Sequence, residues 1–329
     1  MPSGISNATL WAVDIYAALE ALNLPASDEN ACAAIAVTQQ ESTFTAQPAV
    51  PNLAKIARKE IDTRAARLRI PKTLVDVALL VRSPNGKTYQ ARLAEVKTEK
   101  QLSDIFEDFI GSVPLGRQLF AGFNPVRTGG PMQVSIKYAE DHAASHRYPY
   151  PLEGSIRDEV FTRRGGMYFG IAHLLDYPAE YDDMLFRFAD FNAGHYASRN
   201  AAFQSVVSRL TKRELAVDGD LLLKGKGASE PSRTELAVRV LGDQLKMTDA
   251  QIRADLEREK EQSFERTKLY ERLFSLADKQ RGKPAPRGVV PRIKLESAKI
   301  TRNLTTEWFA KRVDQRYEQC LARGKKGKA

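Results

Sequence analysis

The chain has 329 residues and a hydrophobic content of 43%, enough for one large buried core or two smaller ones. Lys and Arg outnumber Asp and Glu by 50 to 41, and the net charge of +9 favours an anionic partner such as a carboxylate-bearing polymer, an anionic lipid or a nucleic acid. The low number of cysteines and histidines, two and four, excludes a zinc-finger framework.

The first part of the chain predicts closely packed helices. Ser27 is a suitable N-cap for a helix of small apolar residues that ends at Glu41, so this carboxylate should lie at the rim of a core. Residues 53–120 should be mostly helical. Within them, residues 75–96 favour two helices joined by a turn at Pro84-Asn85-Gly86, with a β-hairpin as the alternative.

The rest of the chain also predicts helices, after a Gly- and Pro-rich loop over residues 122–133. We place these helices from apolar spacing, from a capping box at Thr248 and from a composition change near residues 225–231. They cover residues 160–175, 184–191, 197–210, 249–280 and 304–321. The predicted fold class is therefore mainly α.

Other sequence features bear on the compartment of the protein. No run of about 18 apolar residues is present, so no membrane-spanning helix is expected, and no signal peptide pattern is visible. Cys32 and Cys320 could form a disulfide in an oxidising compartment or remain buried free thiols.

Three short segments in a fixed order carry the strongest functional signal. They are Glu-Ser-Thr-Phe at residues 41–44, Gly-Pro-Met-Gln at residues 130–133 and Asp-Phe-Asn-Ala-Gly at residues 190–194. A glycine-rich helical segment at residues 165–175 precedes the third. A carboxylic acid donates a proton at neutral pH only where poor solvation raises its pKa, and the apolar residues around Glu41 favour such a site.

In this order, the segments resemble the signature segments of soluble lytic transglycosylases, lysozyme-like enzymes that cut the glycan strands of bacterial peptidoglycan. The similarity covers about residues 8–203. The chain also resembles a family of bacterial envelope lipoproteins of unknown function. The resemblance implies a goose-type, lysozyme-like helical core over residues 1–215 with a helical insertion at about 50–125. Residues 216–329 would form a basic helical extension of unknown role.

The mechanism that the resemblance implies uses one carboxyl group twice. Glu41 would protonate the oxygen between N-acetylmuramic acid and N-acetylglucosamine. As a carboxylate it would then accept a proton from the C6 hydroxyl of the sugar, which attacks C1 and leaves a 1,6-anhydro product. An internal nucleophile has a high effective molarity, so the second carboxylate of ordinary glycosidases becomes unnecessary. No metal or organic cofactor is expected.

The resemblance also implies which side chains contact the sugar. They are Gln40, Ser42, Met132, Gln133, Tyr168, Asp190, Phe191 and Asn192. Phe191 stands where the family has tyrosine, so Tyr168 or Tyr196 would have to supply the missing hydroxyl. Asp190 stands where the family has alanine. It would be a second carboxylate if it faced the cleft, and only a helix charge if it faced water.

Two alternatives therefore accompany the transglycosylase interpretation. One is a lysozyme-type hydrolase that uses Glu41 with Asp190, and the other is a catalytically weak, peptidoglycan-binding envelope scaffold. Nucleic-acid binding rests on charge alone and lacks interleaved aromatic residues, so we expect no nucleic-acid partner. The expected partners are glycan strands and an envelope protein at the C-terminal region. Such a substrate implies a periplasmic protein with an export signal outside this sequence, with lipid anchoring to the outer membrane left open.

Overall fold

The computed structural model describes residues 1–112, 124–225, 229–295 and 304–328, with residues 326–328 described by their backbone alone, and this part of the chain is mainly α. These residues form two compact units, one before and one after a division between residues 173 and 174. Residues 113–123, which include the end of the region predicted to be helical and the start of the predicted loop, lie outside the described residues.

The first unit contains helices and one short hairpin. Its helices are α1 Ala8–Ala21, α2 Asp28–Glu41, α3 Leu53–Arg67, α4 Lys72–Leu79, α5 Tyr89–Glu95, α6 Glu99–Ser112, α7 Ile136–Ser145, α8 Ile156–Val160 and α9 Arg163–Leu175, of which the last crosses the division. The hairpin pairs β1 Thr128–Gly129 with β2 Val134–Ser135 in antiparallel fashion.

The second unit also contains helices and one pair of short strands. Its elements are α10 Met184–Ala193, α11 Ala197–Thr211, α12 Arg233–Arg239, α13 Gly242–Leu245, α14 Asp249–Leu256, a 3-10 helix Gln262–Arg266, α15 Lys268–Arg281, β3 Lys294–Leu295, β4 Leu304–Thr305 and α16 Thr306–Lys328. Strands β3 and β4 pair antiparallel, and α10 packs along α16, where the Phe188 and Tyr317 rings meet at 5.6 Å.

Local signals in the sequence produce the first helices and turns as predicted. The Ser27 hydroxyl accepts a hydrogen bond from the Asn30 N–H at 3.2 Å and begins α2. The turn after α4 is closed by the Ser83 N–H, which donates to the Lys87 carbonyl at 2.8 Å, and α5 follows. The two-helix interpretation of residues 75–96 is thus confirmed, and one isolated bridge between Arg82 and Thr88 is all that resembles a hairpin there.

The prediction of a single charged helix over residues 249–280 is wrong. The chain leaves the helical path after Leu256, because the buried Arg199 guanidinium binds the Glu259 carbonyl at 2.6 Å and the Glu261 carbonyl at 2.9 Å. Those carbonyls accept hydrogen bonds from the guanidinium group and not from the N–H groups of a continued α-helix. The side chain of Phe264 is then fully buried in the intervening 3-10 turn.

The core of the second unit extends across the boundary expected near residue 215. Phe203 and Val207 of α11 belong to one buried cluster. The same cluster contains Val238 of α12 and, further along the chain, Phe264 and Leu273. Residues on both sides of position 215 therefore complete one core, and the two compact units divide between residues 173 and 174.

The described residues also bear on the cysteines and on membrane-spanning helices. Cys32 and Cys320 are both buried, and no described cysteine is free, so free thiols are not the state observed. Among the described helices, none combines the length and the apolar character needed to cross a lipid bilayer.

Candidate active site

Helix α2 carries Glu41 on a tightly packed base. Ala33, Ala34 and Val37 are fully buried, as is Thr38, one turn before Glu41. The Thr38 hydroxyl donates to the Ala34 carbonyl at 2.8 Å and lies 3.5 Å from the sulfur of Met167 on α9. Small side chains allow this close helix contact, which fixes the end of α2 against α9.

The chain turns sharply directly after Glu41. Thr43 and Phe44 adopt φ angles of 51° and 60°, a left-handed conformation that is uncommon for residues other than glycine. Buried Phe44 packs edge-on against Trp11 at 5.4 Å. The Ser42 hydroxyl donates to the Thr38 carbonyl at 3.1 Å and accepts from the Thr45 N–H at 3.3 Å. Ser42, predicted to contact substrate, therefore closes this turn.

The environment of Glu41 favours its protonated form. The side chain is partly buried at the end of α2. Loss of solvation raises its pKa from 4.5 to about 7, and the nearby negative charge of Glu99 contributes to the rise. A carboxyl group with this pKa can both donate and accept a proton near neutral pH.

Glu99 is a second carboxylate that the sequence analysis missed. The segment after α2 pairs with the residues before α6, through a bridge between Ala49 and Thr98 and a hydrogen bond from the Val50 N–H to the Lys97 carbonyl at 2.9 Å. Glu99 is the first residue of α6 and is buried.

The sequence indicates where α6 begins but does not indicate that Glu99, at its start, lies near Glu41. Thr98 and Gln101 form a reciprocal cap, because the Gln101 N–H donates to the Thr98 hydroxyl and the Thr98 N–H donates to the Gln101 side chain, at 3.3 and 3.2 Å. This pattern marks Glu99 as a first-turn acid. Only the long-range pairing brings it close to Glu41.

The second predicted segment forms the turn of the β1–β2 hairpin. Gly130 has a φ of 74°, and a Cβ at this position would lie 2.0 Å from the Val160 carbonyl oxygen, so only glycine fits. The Gln133 amide donates to the Gly130 carbonyl at 3.3 Å and accepts from the Thr128 hydroxyl at 3.5 Å. The partly buried Gln133 side chain is thus held within its own turn.

Two glycines one turn apart on α9 receive this hairpin. A Cβ at Gly166 would lie 2.3 Å from Cδ of Pro131, and one at Gly170 would lie 2.4 Å from the sulfur of Met132. Met132 is fully buried there. The structure therefore makes Met132 a packing residue, in contrast to the expectation that it lines a sugar groove.

Tyr168, on the same helix, is also buried. Its ring lies within an aromatic cluster, 5.7 Å from His142, 5.4 Å from Tyr148 and 5.1 Å from Phe169. At 2% exposure its side chain offers almost no surface to a substrate. The predicted role of Tyr168 in sugar contact is thus replaced by packing in this structure.

A cleft of about 520 Å³ lies beside the end of α2. Its walls include Gln39, Thr43 and Phe44, which flank Glu41 in sequence, and Arg163, whose guanidinium pairs with Asp14. Gln40 is partly buried next to Glu41. The cleft is large enough for a ligand of sugar size.

Asp190, in the second unit, faces neither of the two environments considered for it. It is fully buried and accepts hydrogen bonds from the Tyr177 and Tyr181 hydroxyls at 3.1 and 2.7 Å and from the Tyr196 and Ser198 N–H groups at 2.9 and 2.6 Å. Burial raises the pKa of Asp190, and these bonds oppose the rise. Its contacts are those of a structural carboxylate that joins α10 to the start of α11.

The other members of the third segment are held within the second unit as well. Phe191 is buried on α10, and the Asn192 side-chain oxygen accepts from the Thr306 hydroxyl at 2.8 Å. The Tyr196 hydroxyl, proposed as a substitute for the missing one, donates to the Pro178 carbonyl at 3.1 Å.

Within the first unit, the structure unites two of the predicted segments on one support. The end of α2 contacts α9 at Met167, and the hairpin turn contacts α9 at Gly166 and Gly170. Among the described residues, no cluster of His, Cys, Asp or Glu with metal-ligand geometry includes Glu41. The chemistry this arrangement offers is proton transfer by Glu41, with Glu99 nearby.

Comparison with known proteins identifies a family. A family described as "Protein of unknown function (DUF1615)" matches residues 4–323. The chain belongs to this family. It is also 53% identical over 321 residues to "Uncharacterized protein YaiW" of Escherichia coli (strain K12), a match that covers 98% of this chain and 87% of that protein. No solved structure matches the chain.

Proposed function

We propose that the protein is a peptidoglycan lytic transglycosylase of lysozyme-like fold, with Glu41 as its single acid and base. The observation that carries the proposal is the position of Glu41 at the end of the packed helix α2, between Gln39 and Thr43, which both line a cleft of sugar size. Loss of solvation at this position raises the pKa of Glu41 to about 7. A protonated carboxyl can protonate the glycosidic oxygen, and the resulting carboxylate can then accept the C6 hydroxyl proton. The carboxyl group ends the cycle in its starting state.

The geometry of the first unit gives this proposal further support. The order of the three segments resembles that of lytic transglycosylases. Helix α2, which ends in the first segment, contacts α9 through Thr38 and Met167, and the second segment contacts α9 through Met132 and Gly170. A site built on packed helices is held more precisely than one built on loops. The substrate would place the protein in the periplasm, and the expected lipid anchor and envelope partner belong to the same proposal.

Products from peptidoglycan sacculi test the proposal. Purified protein should release anhydro-muropeptides, detected by mass spectrometry, and Glu41→Gln should abolish them. The exposed Glu20→Gln, which removes the same charge from α1, should leave the yield unchanged. Loss of product in both variants, or in neither, would contradict the role of Glu41.

A hydrolase is the second candidate, and Glu99 is the observation that favours it. Two carboxylates serve ordinary glycosidases, and Glu99 lies close enough to raise the pKa of Glu41, whereas all four hydrogen bonds of Asp190 are structural. Products with reducing ends, lost in both Glu41→Gln and Glu99→Gln, would identify this activity. Binding to sacculi with no product that depends on Glu41 would instead favour the envelope scaffold.

A further inference from the structure

Exposed apolar side chains are concentrated at the end of α3 and along α4. Among the residues that the structure describes, 14 large hydrophobic side chains are exposed, and six of them lie within residues 68–81. These six, here called the α3–α4 surface, are Leu68, Ile70, Leu74, Val77, Leu80 and Val81, with exposures between 42% and 64%. Apolar residues grouped in this way on a surface mark a site of contact with a membrane or with another protein.

Helix α4 has apolar residues on both of its faces. Val75 and Leu79, one turn apart, are buried in the first unit. Leu74, Val77 and Val81 lie at the spacing of the opposite face and are exposed. A helix that is apolar all round is normally buried on every side. The outer face of α4 therefore suits an apolar environment that the described residues of the chain do not supply.

Cationic side chains border the α3–α4 surface. The exposed ones are Arg67, Arg69, Lys72 and Arg82. The sequence from residue 63 to residue 94 holds seven Lys and Arg residues and a single acid, Asp76, which pairs with Arg58 and Lys72. The charge at this surface is therefore positive and complements an anionic layer.

The arrangement of these residues fits a lipid bilayer better than a partner protein. Residues 66–74 are all exposed, and at residues 67–72 cations are interleaved with apolar residues as Arg-Leu-Arg-Ile-Pro-Lys. The cores of protein interfaces exclude charge and favour aromatic anchors, of which residues 66–82 contain none. At a bilayer, by contrast, long cationic side chains reach the lipid phosphates while their apolar neighbours enter the acyl region.

We propose that the α3–α4 surface docks on the surface of an anionic phospholipid bilayer. Its apolar side chains enter the boundary between headgroups and acyl chains, and the bordering Arg and Lys side chains contact lipid phosphates. Each such cation strengthens binding to an anionic membrane roughly fivefold. This inference concerns a contact of the protein surface and is independent of the activity of Glu41 and of any covalent lipid anchor.

Flotation of the full chain with lipid vesicles tests the proposal. The protein should float with vesicles made of equal parts of phosphatidylglycerol and phosphatidylcholine, and far less with phosphatidylcholine alone. Val77→Glu should weaken binding to the anionic vesicles roughly tenfold or more, because it removes an apolar contact and adds a repelled charge. Val13→Glu makes the same change at an exposed position of α1 and should leave binding nearly unchanged.

Two further comparisons locate the contact. Arg67→Gln should weaken binding roughly fivefold, and the exposed Arg147→Gln, in the same unit, should have a smaller effect. An environment-sensitive dye attached through Leu80→Cys should shift its emission to shorter wavelength on anionic vesicles, because this exposed position enters the apolar boundary. The same dye attached through Val13→Cys should not shift.

Three results would overturn the proposal. The first is a lack of binding to the anionic vesicles, and the second is equal binding by the Val77→Glu and Val13→Glu variants. The third is a dimer, seen by light scattering, that Val77→Glu dissociates while vesicle binding stays unchanged, since the α3–α4 surface would then bind a second copy of the chain.

Discussion

The raised pKa of Glu41 has a cost to the folded state at neutral and alkaline pH. The protein around it raises its pKa from 4.5 to about 7, so the folded chain holds a proton that the unfolded chain has already released between these values. Stability from this group is therefore complete below pH 4.5 and falls as the pH rises through 7. The difference corresponds to about 3 kcal/mol as an upper bound.

Glu41→Gln should consequently stabilise the protein at pH 8 and have little effect near pH 4.5. Glutamine resembles the protonated carboxyl and cannot ionise. Urea unfolding of both proteins at the two pH values measures the difference, with Glu20→Gln as the exposed control. A stability difference that does not depend on pH would contradict the raised pKa.

Glu99→Gln should lower the pKa of Glu41 without returning it to 4.5. Desolvation is the larger cause of the rise and remains in the variant, whereas the repulsion from Glu99 disappears. Titration of the Glu41 side chain by carbon-13 NMR measures this directly, and the alkaline limb of any activity profile should move to lower pH. The exposed Glu95→Gln, just before α6, should leave the titration unchanged.

The Asp190 side chain has a structural role. Asp190→Ala should destabilise the protein by roughly 3 kcal/mol or more, because it leaves two tyrosine hydroxyls and two backbone N–H groups without their acceptor. Chemical denaturation provides the measurement, with the exposed Asp182→Ala as its control. Equal stability of the two variants would refute this role.

At the scale of elements, the contact between α9 and the hairpin turn depends on glycine at positions 166 and 170 of the helix. Gly170→Ala should destabilise the protein by about 1–3 kcal/mol, since the new methyl group would lie 2.4 Å from the Met132 sulfur and 2.6 Å from its Cβ. Gly111→Ala is the matched control on α6, where nothing lies within 4 Å of the added carbon. That change should stabilise the protein by about 0.5–1 kcal/mol.

Thermal unfolding of both glycine variants separates packing from helix propensity. Alanine favours a helix at either position, so opposite signs can arise only from the surroundings of the two glycines. A stabilising effect of Gly170→Ala would show that Met132 moves away readily.

Elements set by local chemistry were predictable from the sequence, and elements set by distant partners were not. The Ser27 cap and the capping box at Thr248 both form as predicted. The break after Leu256 was missed because it depends on Arg199, which lies far earlier in the chain. Charged residues at helical spacing do not reveal that two of their carbonyls are bound by a buried guanidinium.

The same limit applies to the candidate site. The position of Glu41 at the end of a core helix followed from apolar spacing, but Glu99 required the pairing of residues 49–50 with residues 97–98. Met132 and Tyr168 were chosen as sugar contacts because the segments that hold them resemble a family pattern. Their burial depends on tertiary packing, which a motif does not encode.

At the scale of the whole molecule, the second unit should not tolerate division at residue 215. Truncation after that residue would leave Phe203 and Val207 without Phe264 and Leu273, with which they share a core. We expect the shortened chain to be largely insoluble or to lack a cooperative unfolding transition, as measured by sedimentation and circular dichroism. A soluble product that unfolds cooperatively would instead support an independent domain over residues 1–215.

The glycines of α9 have a consequence for how the first unit folds. Each glycine lowers the intrinsic stability of a helix by about 1 kcal/mol, so α9 gains its stability from the hairpin turn that fills the space at Gly166 and Gly170. Helix and turn, far apart in sequence, should therefore open together. Their amide hydrogens should exchange with solvent deuterium at one common opening free energy, as a single cooperative unit of the native state.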